Sequence, residues 1–221
     1  MATELADGVW RIACRGVNAY LLERDDLVLV DAGTPLDAGT IRSGVADAGH
    51  ALADVDNVVV THFDLDHVGG LWRLDDEIDA PVSMPDPDAG YLTRTDAPPW
   101  NRKGAMQRAL RLLARPPALD VRTVADGDEI AGLTAHHTPG HTPGHTVYAD
   151  DEVAFLGDLV FGDGGTYDPS PWIVNYDTDE VEASIRSLAD EDLGFTVGCQ
   201  GHGDPLATGG SHALSALADR L

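Results

Sequence analysis

A chain of 221 residues, 43% of them hydrophobic, is long enough to bury the core of one α/β domain. Its 38 acidic residues against 14 basic ones give a formal net charge of −24. That field repels nucleic acid, and it suits a halophile's cytosol, where about 1 M salt shortens the Debye length to about 3 Å. Two cysteines, Cys14 and Cys199, are too few for a disulfide framework or a thiolate metal site. No run approaches the roughly 18 apolar residues of a membrane span, so a cytoplasmic protein without membrane contacts is expected.

In chain order, residues 9–12, 19–22 and 27–30 are short apolar or alternating runs separated by RG and RDD breaks, which predict a β-meander. The last run ends in DAGT, placing Asp31 at a strand edge before a helix over 36–48, where Ile41, Val45 and Ala48 keep helical spacing. The stretch 58–70, VVVTHFDLDHVGG, then ends a β-branched run in His62, Asp64, Asp66 and His67. Imidazole and carboxylate are the donors that borderline and hard divalent cations prefer, and strand-end loops are where such groups act.

APVSMPDPDAG reads next as a Pro- and Asp-rich connection. Beyond it the charge reverses: residues 94–115 hold Arg94, Arg102, Lys103, Arg108, Arg111 and Arg115, and Lys103 is the single lysine of the chain. The spacing predicts a helix over 104–115, with Met106, Ala109, Leu110 and Leu113 on its apolar face and Arg108, Arg111 and Arg115 on another. Those arginines either pair with the acidic body or form an anion-attracting lid beside the metal loop.

After a DGDEI turn and strand comes HHTPGHTPGHTVY at 136–148. His137, His141 and His145 recur every four residues, but the Thr-Pro-Gly triplets between them forbid a helix, so a loop leaving a strand is expected. LGD places Asp158 in a turn after a hydrophobic strand, and Gly201, His202 and Gly203 follow another. Helices are predicted over 178–190 and 211–221.

The ordered set LVDAGT, THFDLDH, HTPGHTPGH, LGD and GHG, over residues 29–203, resembles the metallo-β-lactamase superfamily. The resemblance implies one domain over residues 1–221 with an αββα sandwich, two facing sheets with helices outside, in which residues 84–117 form a variable lid-like segment. It implies two divalent metal ions, zinc first. His62, Asp64 and His141 would hold one and Asp66, His67 and His202 the other, with Asp158 bridging. It also makes Asp31 a support of the loop, His145 a neighbour of the ligands or of substrate, and His137 structural. His50, His136 and His212 match nothing in it.

Position 64 departs from the family pattern, which has His where this chain has Asp. A carboxylate there moves selectivity towards iron or manganese and leaves the cluster less positive, a deficit that Arg108 and Arg111 would offset beside an anionic small-molecule substrate. The resemblance implies water activated by metal, with Asp66 passing protons, and so a thioester or ester hydrolase similar to glyoxalase II. The alternatives are a non-heme iron oxidoreductase, similar to the flavodiiron or persulfide dioxygenase branches, and a lactonase. Phe161, where the lactone-cleaving branch has Tyr, weighs against the last. Trp100, Tyr167 and Trp172 are candidate pocket residues.

Overall fold

The computed structural model describes all of residues 1–221. In chain order it places β1 (Ala2–Ala6), β2 (Val9–Ala13), β3 (Asn18–Glu23) and β4 (Leu27–Val30), then α1 (Ala38–Asp47), β5 (Asn57–Val59) and a single helical turn, α2 (Leu65–Val68). After these come β6 (Val82–Pro85), α3 (Asp88–Thr93), α4 (Arg102–Leu110), β7 (Val121–Val124), β8 (Glu129–Ile130), β9 (Leu133–His137), β10 (Thr146–Ala149) and β11 (Val153–Asp163). The chain closes with β12 (Tyr167–Pro169), α5 (Thr178–Asp190), β13 (Val197–Asp204) and α6 (Gly210–Ala218).

Strands β1 to β7 form one sheet in sequence order, antiparallel as far as β4 and parallel from there to β7. The second sheet runs β12-β11-β10-β9-β8, and β13 pairs with β11 in parallel. Alternation along the strands explains the layers, because successive side chains leave opposite faces. Tyr20, Leu22, Val28 and Val30 meet Tyr148, Val153 and Phe155 between the sheets. Their neighbours Leu21 and Leu29 turn outward to Ile41 and Val45 of α1, and Leu156 packs on Val181 and Ile185 of α5. Both faces of each sheet are thus buried, which is why β4 reads as an unbroken apolar run rather than an alternating one. This is the αββα sandwich.

Several elements depart from the sequence expectation. APVSMP is not a connection: Val82–Pro85 is buried strand β6, with Val121–Val124 as the strand beyond it. LGD is not a turn. Strand β11 continues through it with a register shift on each side of Gly157. The basic helix spans Arg102–Leu110 rather than 104–115, and its faces are reversed: Lys103, Gly104 and Gln107 are buried, whereas Met106 is exposed, as is Leu113 in the turns beyond its end. The acidic site beneath attracts the amine and amide more strongly than the core attracts those apolar side chains. Tyr167 is core, not pocket lining, with no exposed surface.

Candidate metal centre

The first sheet delivers its groups from the ends of β4 and β5. Asp31 follows β4 in the left-handed backbone region, φ 59°, and receives the N–H of Thr61 at 2.9 Å, which fixes the start of the loop after β5. Asp64 then precedes α2, whose one turn carries Asp66 and His67. The second sheet supplies His141 from the loop between β9 and β10, Asp158 from the irregular middle of β11, and His202 from β13. Two glycines make the approach close enough. A Cβ on Gly157, at φ 51°, would lie 2.7 Å from His145 Nε2, and one on Gly201 would lie 2.2 Å from Asp158 Oδ1.

Hydrogen bonding orients all four imidazoles the same way. Thr61 Oγ1 lies 2.9 Å from both Asp31 Oδ2 and His62 Nδ1. The carboxylate only accepts, so Thr61 donates to it and accepts from His62 Nδ1–H. His67 Nδ1–H donates to Asp31 at 2.8 Å, His141 Nδ1–H to Asn175 Oδ1 at 3.0 Å, and His202 Nδ1–H to the Gly16 carbonyl at 2.7 Å. Each Nε2 therefore faces inward, in the arrangement that supports metal ligation. Asp158 lies at the centre. Its Oδ2 is 3.2 Å from His202 Nε2, 3.4 Å from His141 Nε2 and 4.0 Å from His62 Nε2, and its Oδ1 is 3.4 Å from His67 Nε2.

Three donor groups satisfy the spacing of a metal site, with ligand atoms within 4.8 Å of one another: His62, His67 and Asp158; His62, Asp64 and His141; and Asp66, His67 and His202. His62 Nε2, His67 Nε2 and Asp158 Oδ1 are buried without a hydrogen-bond partner, the signature of donors that belong to a cation. Burial and the neighbouring His67 push His62 down to about 4, which leaves it neutral and able to ligate near pH 7. Burial also disfavours the ionised carboxyl of Asp158, but His67 and a hydrogen bond from His202 outweigh it and hold the group well below the ordinary carboxylate range. His/Asp chemistry, geometry and the orphaned atoms all fit a divalent metal at Asp66, His67, His202 and Asp158.

The other half of the site differs. Lys103, which has 2% of its surface exposed, places Nζ 2.8 Å from Asp64 Oδ2 and 2.8 Å from His141 Nε2. Gln107 Nε2, one turn further along α4, donates to Asp64 Oδ1 at 2.8 Å. Burial alone would raise the Asp64 pKa, but the Lys103 ammonium beside it holds the carboxyl well below the ordinary range. Two of the three donors that could take a metal here, Asp64 and His141, are committed to an ammonium.

The remaining expected residues divide. His145 does not face substrate: its Nε2 accepts the backbone N–H of Asp158 at 3.0 Å, and its Nδ1 bonds Thr138 Oγ1 at 2.9 Å. Arg108 turns away from the metal donors, stacking 4.4 Å from Trp100 and donating to the Pro98 carbonyl. Arg111 lies along the small gap that Asp64 and Gln107 also line, but donates to neither. The cation that compensates Asp64 is Lys103. Phe161 packs against His202 with ring centroids 4.7 Å apart.

Sequence reasoning missed Asp88. Fully buried, it accepts Phe63 N–H at 2.7 Å and Gly144 N–H at 3.0 Å, and so ties the two ligand loops together. Asn175, which orients His141, was also missed; neither residue belongs to a motif.

The description "metallo-beta-lactamase superfamily" matches residues 12–202. The chain belongs to the metallo-β-lactamase superfamily. It is 29% identical over 177 residues to a probable metallo-hydrolase, YflN, of Bacillus subtilis (strain 168), covering 71% of this chain and 66% of that one, just under two thirds of its length. Among solved structures, the subclass B3 metallo-β-lactamase BJP-1 of Bradyrhizobium japonicum aligns with TM-score 0.72 and 22% identity over 99% of this chain and 91% of that one. A Cronobacter sakazakii metallo-β-lactamase described by a HARLDQ motif aligns with TM-score 0.73 and 23% identity, over 99% and 91% of the two chains. At these identities the structural likenesses establish the superfamily fold.

Proposed function

We propose that the protein is a metal-dependent hydrolase of an ester or thioester, with a substrate that is part apolar and part anionic. The observation that carries this reading is the convergence of Asp66, His67 and His202, with Asp158 3.4 Å from His67 and 3.2 Å from His202, and with His67 Nε2 and Asp158 Oδ1 buried and unpartnered. A metal held there supplies Lewis acidity and lowers the pKa of water from about 15.7 towards 7. Asp31 keeps His67 oriented as a ligand. Asp66 is the most open carboxylate of the set, its side chain 38% exposed against 5% for Asp158, so it is the one able to accept a proton or pass it to a leaving group. A thiolate leaving group needs little of that help, which favours thioesters.

The substrate class comes from the cleft next to the loop. A space of about 590 Å³ opens beside Leu65, the residue that separates Asp64 from Asp66 in the chain, with Leu36, Trp72, Leu112, Leu113 and Arg115 among its walls. Leu36 and Leu112 are 66% and 77% exposed, unusual for large apolar side chains with no role. Arg73 and Arg115 lie 4.3 and 4.6 Å from the Trp72 ring, which leaves two cations at the rim of an apolar surface in an otherwise acidic molecule. An acyl chain on the leucines with a carboxylate or phosphate at the rim matches that arrangement.

The test is a panel of acyl thioesters and esters, with and without an anionic group, assayed in high salt before and after chelation. Turnover that is lost on chelation, restored by Zn(II) and fastest on anionic thioesters is expected. No turnover of any thioester or ester by metal-loaded protein would overturn the reading.

A further inference from the structure

We propose that the ammonium of Lys103 takes the place of the first metal ion, so that the centre holds one metal, at Asp66, His67, His202 and Asp158. The proposal rests on the metal-hydrolase reading above and deepens it. Lys103 Nζ stands 2.8 Å from both Asp64 Oδ2 and His141 Nε2, two of the three donors that would otherwise form the first site. These two atoms are only 3.1 Å apart. With His141 Nδ1–H donating to Asn175, its Nε2 is an acceptor, and a carboxylate oxygen is an acceptor too. Two lone pairs that close repel unless a positive group lies between them, and Lys103 supplies it.

The lysine is built into this position. It is buried to 2% exposure on α4, a helix capped by Asn101, whose side chain accepts Gly104 N–H at 2.7 Å. Gln107 secures the other oxygen of Asp64, and Tyr176 donates its hydroxyl to Gln107. The Tyr176 ring faces the ammonium at 6.0 Å. Asp64 is thus occupied on both oxygens by side chains of one helix. A zinc ion would need the same lone pairs at about 2.0–2.2 Å, a space that excludes an amine already at hydrogen-bond distance. A dication beside a buried ammonium would also be repelled by it.

Charge explains the pairing. Asp64 and Lys103 cancel each other, and Asp66 and Asp158 then balance a single dication. A histidine at position 64 would instead set an imidazole against the amine, leaving the lysine without a counter-charge. The Asp at position 64 and the single lysine of the chain thus form one charge-balanced pair.

The test is metal content by native mass spectrometry and elemental analysis, after equilibration of the full-length protein with excess Zn(II) in high salt and removal of free metal. The expected result is one zinc per chain in the wild type and two in the D64H/K103A variant, which frees the site and restores the imidazole. K103M, which keeps the alkyl stem, is the control for folding and should weaken binding of no metal at the Asp66 site. Two zincs in the wild type would overturn the proposal, as would a single zinc in folded D64H/K103A. No zinc in any variant would overturn the metal-hydrolase reading itself, and this proposal with it.

Discussion

At the scale of single residues, the centre depends on carboxylates that bond to backbone and imidazole rather than to metal. Asp31 accepts from Thr61 and His67, and Asp88 accepts one backbone N–H from each ligand loop. Asp88→Asn keeps the shape but turns an N–H2 towards a donor, leaving one buried N–H unsatisfied. It should cost about 1–3 kcal/mol of stability, read from the denaturation midpoint; a midpoint equal to wild type would contradict the role given to Asp88. His202 predicts a pH dependence. Burial lowers its pKa, but hydrogen bonds to Asp158 and Asp66 outweigh burial and raise it to about 10. Because the folded value exceeds the unfolded value of about 6.5, the charged ring stabilises chelator-treated protein fully below about pH 6.5. That contribution is lost as the pH rises through about 10. The midpoint of chelated protein should fall between those limits, and His202→Gln should flatten the fall; an unchanged slope in that variant would contradict the assignment.

At the scale of elements, what could be read from the sequence was decided by whether a motif carries its own local reason. THFDLDH and HTPGHTPGH each follow a strand, the second broken by Thr-Pro-Gly triplets that forbid a helix, so His62, Asp64, Asp66, His67 and His141 could be picked out by pattern; His202 stood out in GHG, which proves to be the end of β13 rather than a loop after a strand. Strand β6 was missed because Pro85 and two further prolines mask it, and Pro fits there only because β6 is short and followed at once by a turn. Helix α4 was found, but with its faces inverted: periodicity assigns the buried face to apolar residues, and here the buried partner is an acidic site that selects Lys103 and Gln107. Leu112 and Leu113, in the turns just after α4, form part of the wall of the cleft. Leu113→Ser should raise KM for apolar thioesters by about tenfold with kcat kept, since burying a leucine contributes about 1.5–3 kcal/mol. An unchanged KM would remove the cleft from the substrate path. The irregular part of β11 is equally constrained: Gly157→Ala meets both a positive φ and His145, and should cost about 1–3 kcal/mol of stability while disturbing Asp158 next to it. Wild-type stability and metal affinity in that variant would show that the bulge does not set the carboxylate.

At the scale of the whole molecule, the net charge of −24 sets the conditions in which the site can form. The site gathers Asp31, Asp64, Asp66, Asp88 and Asp158 at one edge of a sandwich that is already strongly acidic, and the surface ion pairs it makes are few and mostly exposed. Self-repulsion should therefore be relieved by screening. The melting temperature should rise between about 0.1 M and about 1 M KCl, by roughly 2–4 °C for each kcal/mol of repulsion removed. A melting temperature independent of salt would mean that the surface charge has no bearing on stability. The two sheets contribute ligands from opposite sides, so neither holds the centre alone, and metal at their common edge ties them together.

The most direct test of this account is anomalous X-ray scattering at the zinc edge from crystals grown with zinc. The account predicts one peak, among His67 Nε2, His202 Nε2, Asp66 and Asp158, with Lys103 still bonded to Asp64 and His141. A peak among His62, Asp64 and His141 with Lys103 displaced, or no peak at Asp66 and His202, would contradict it.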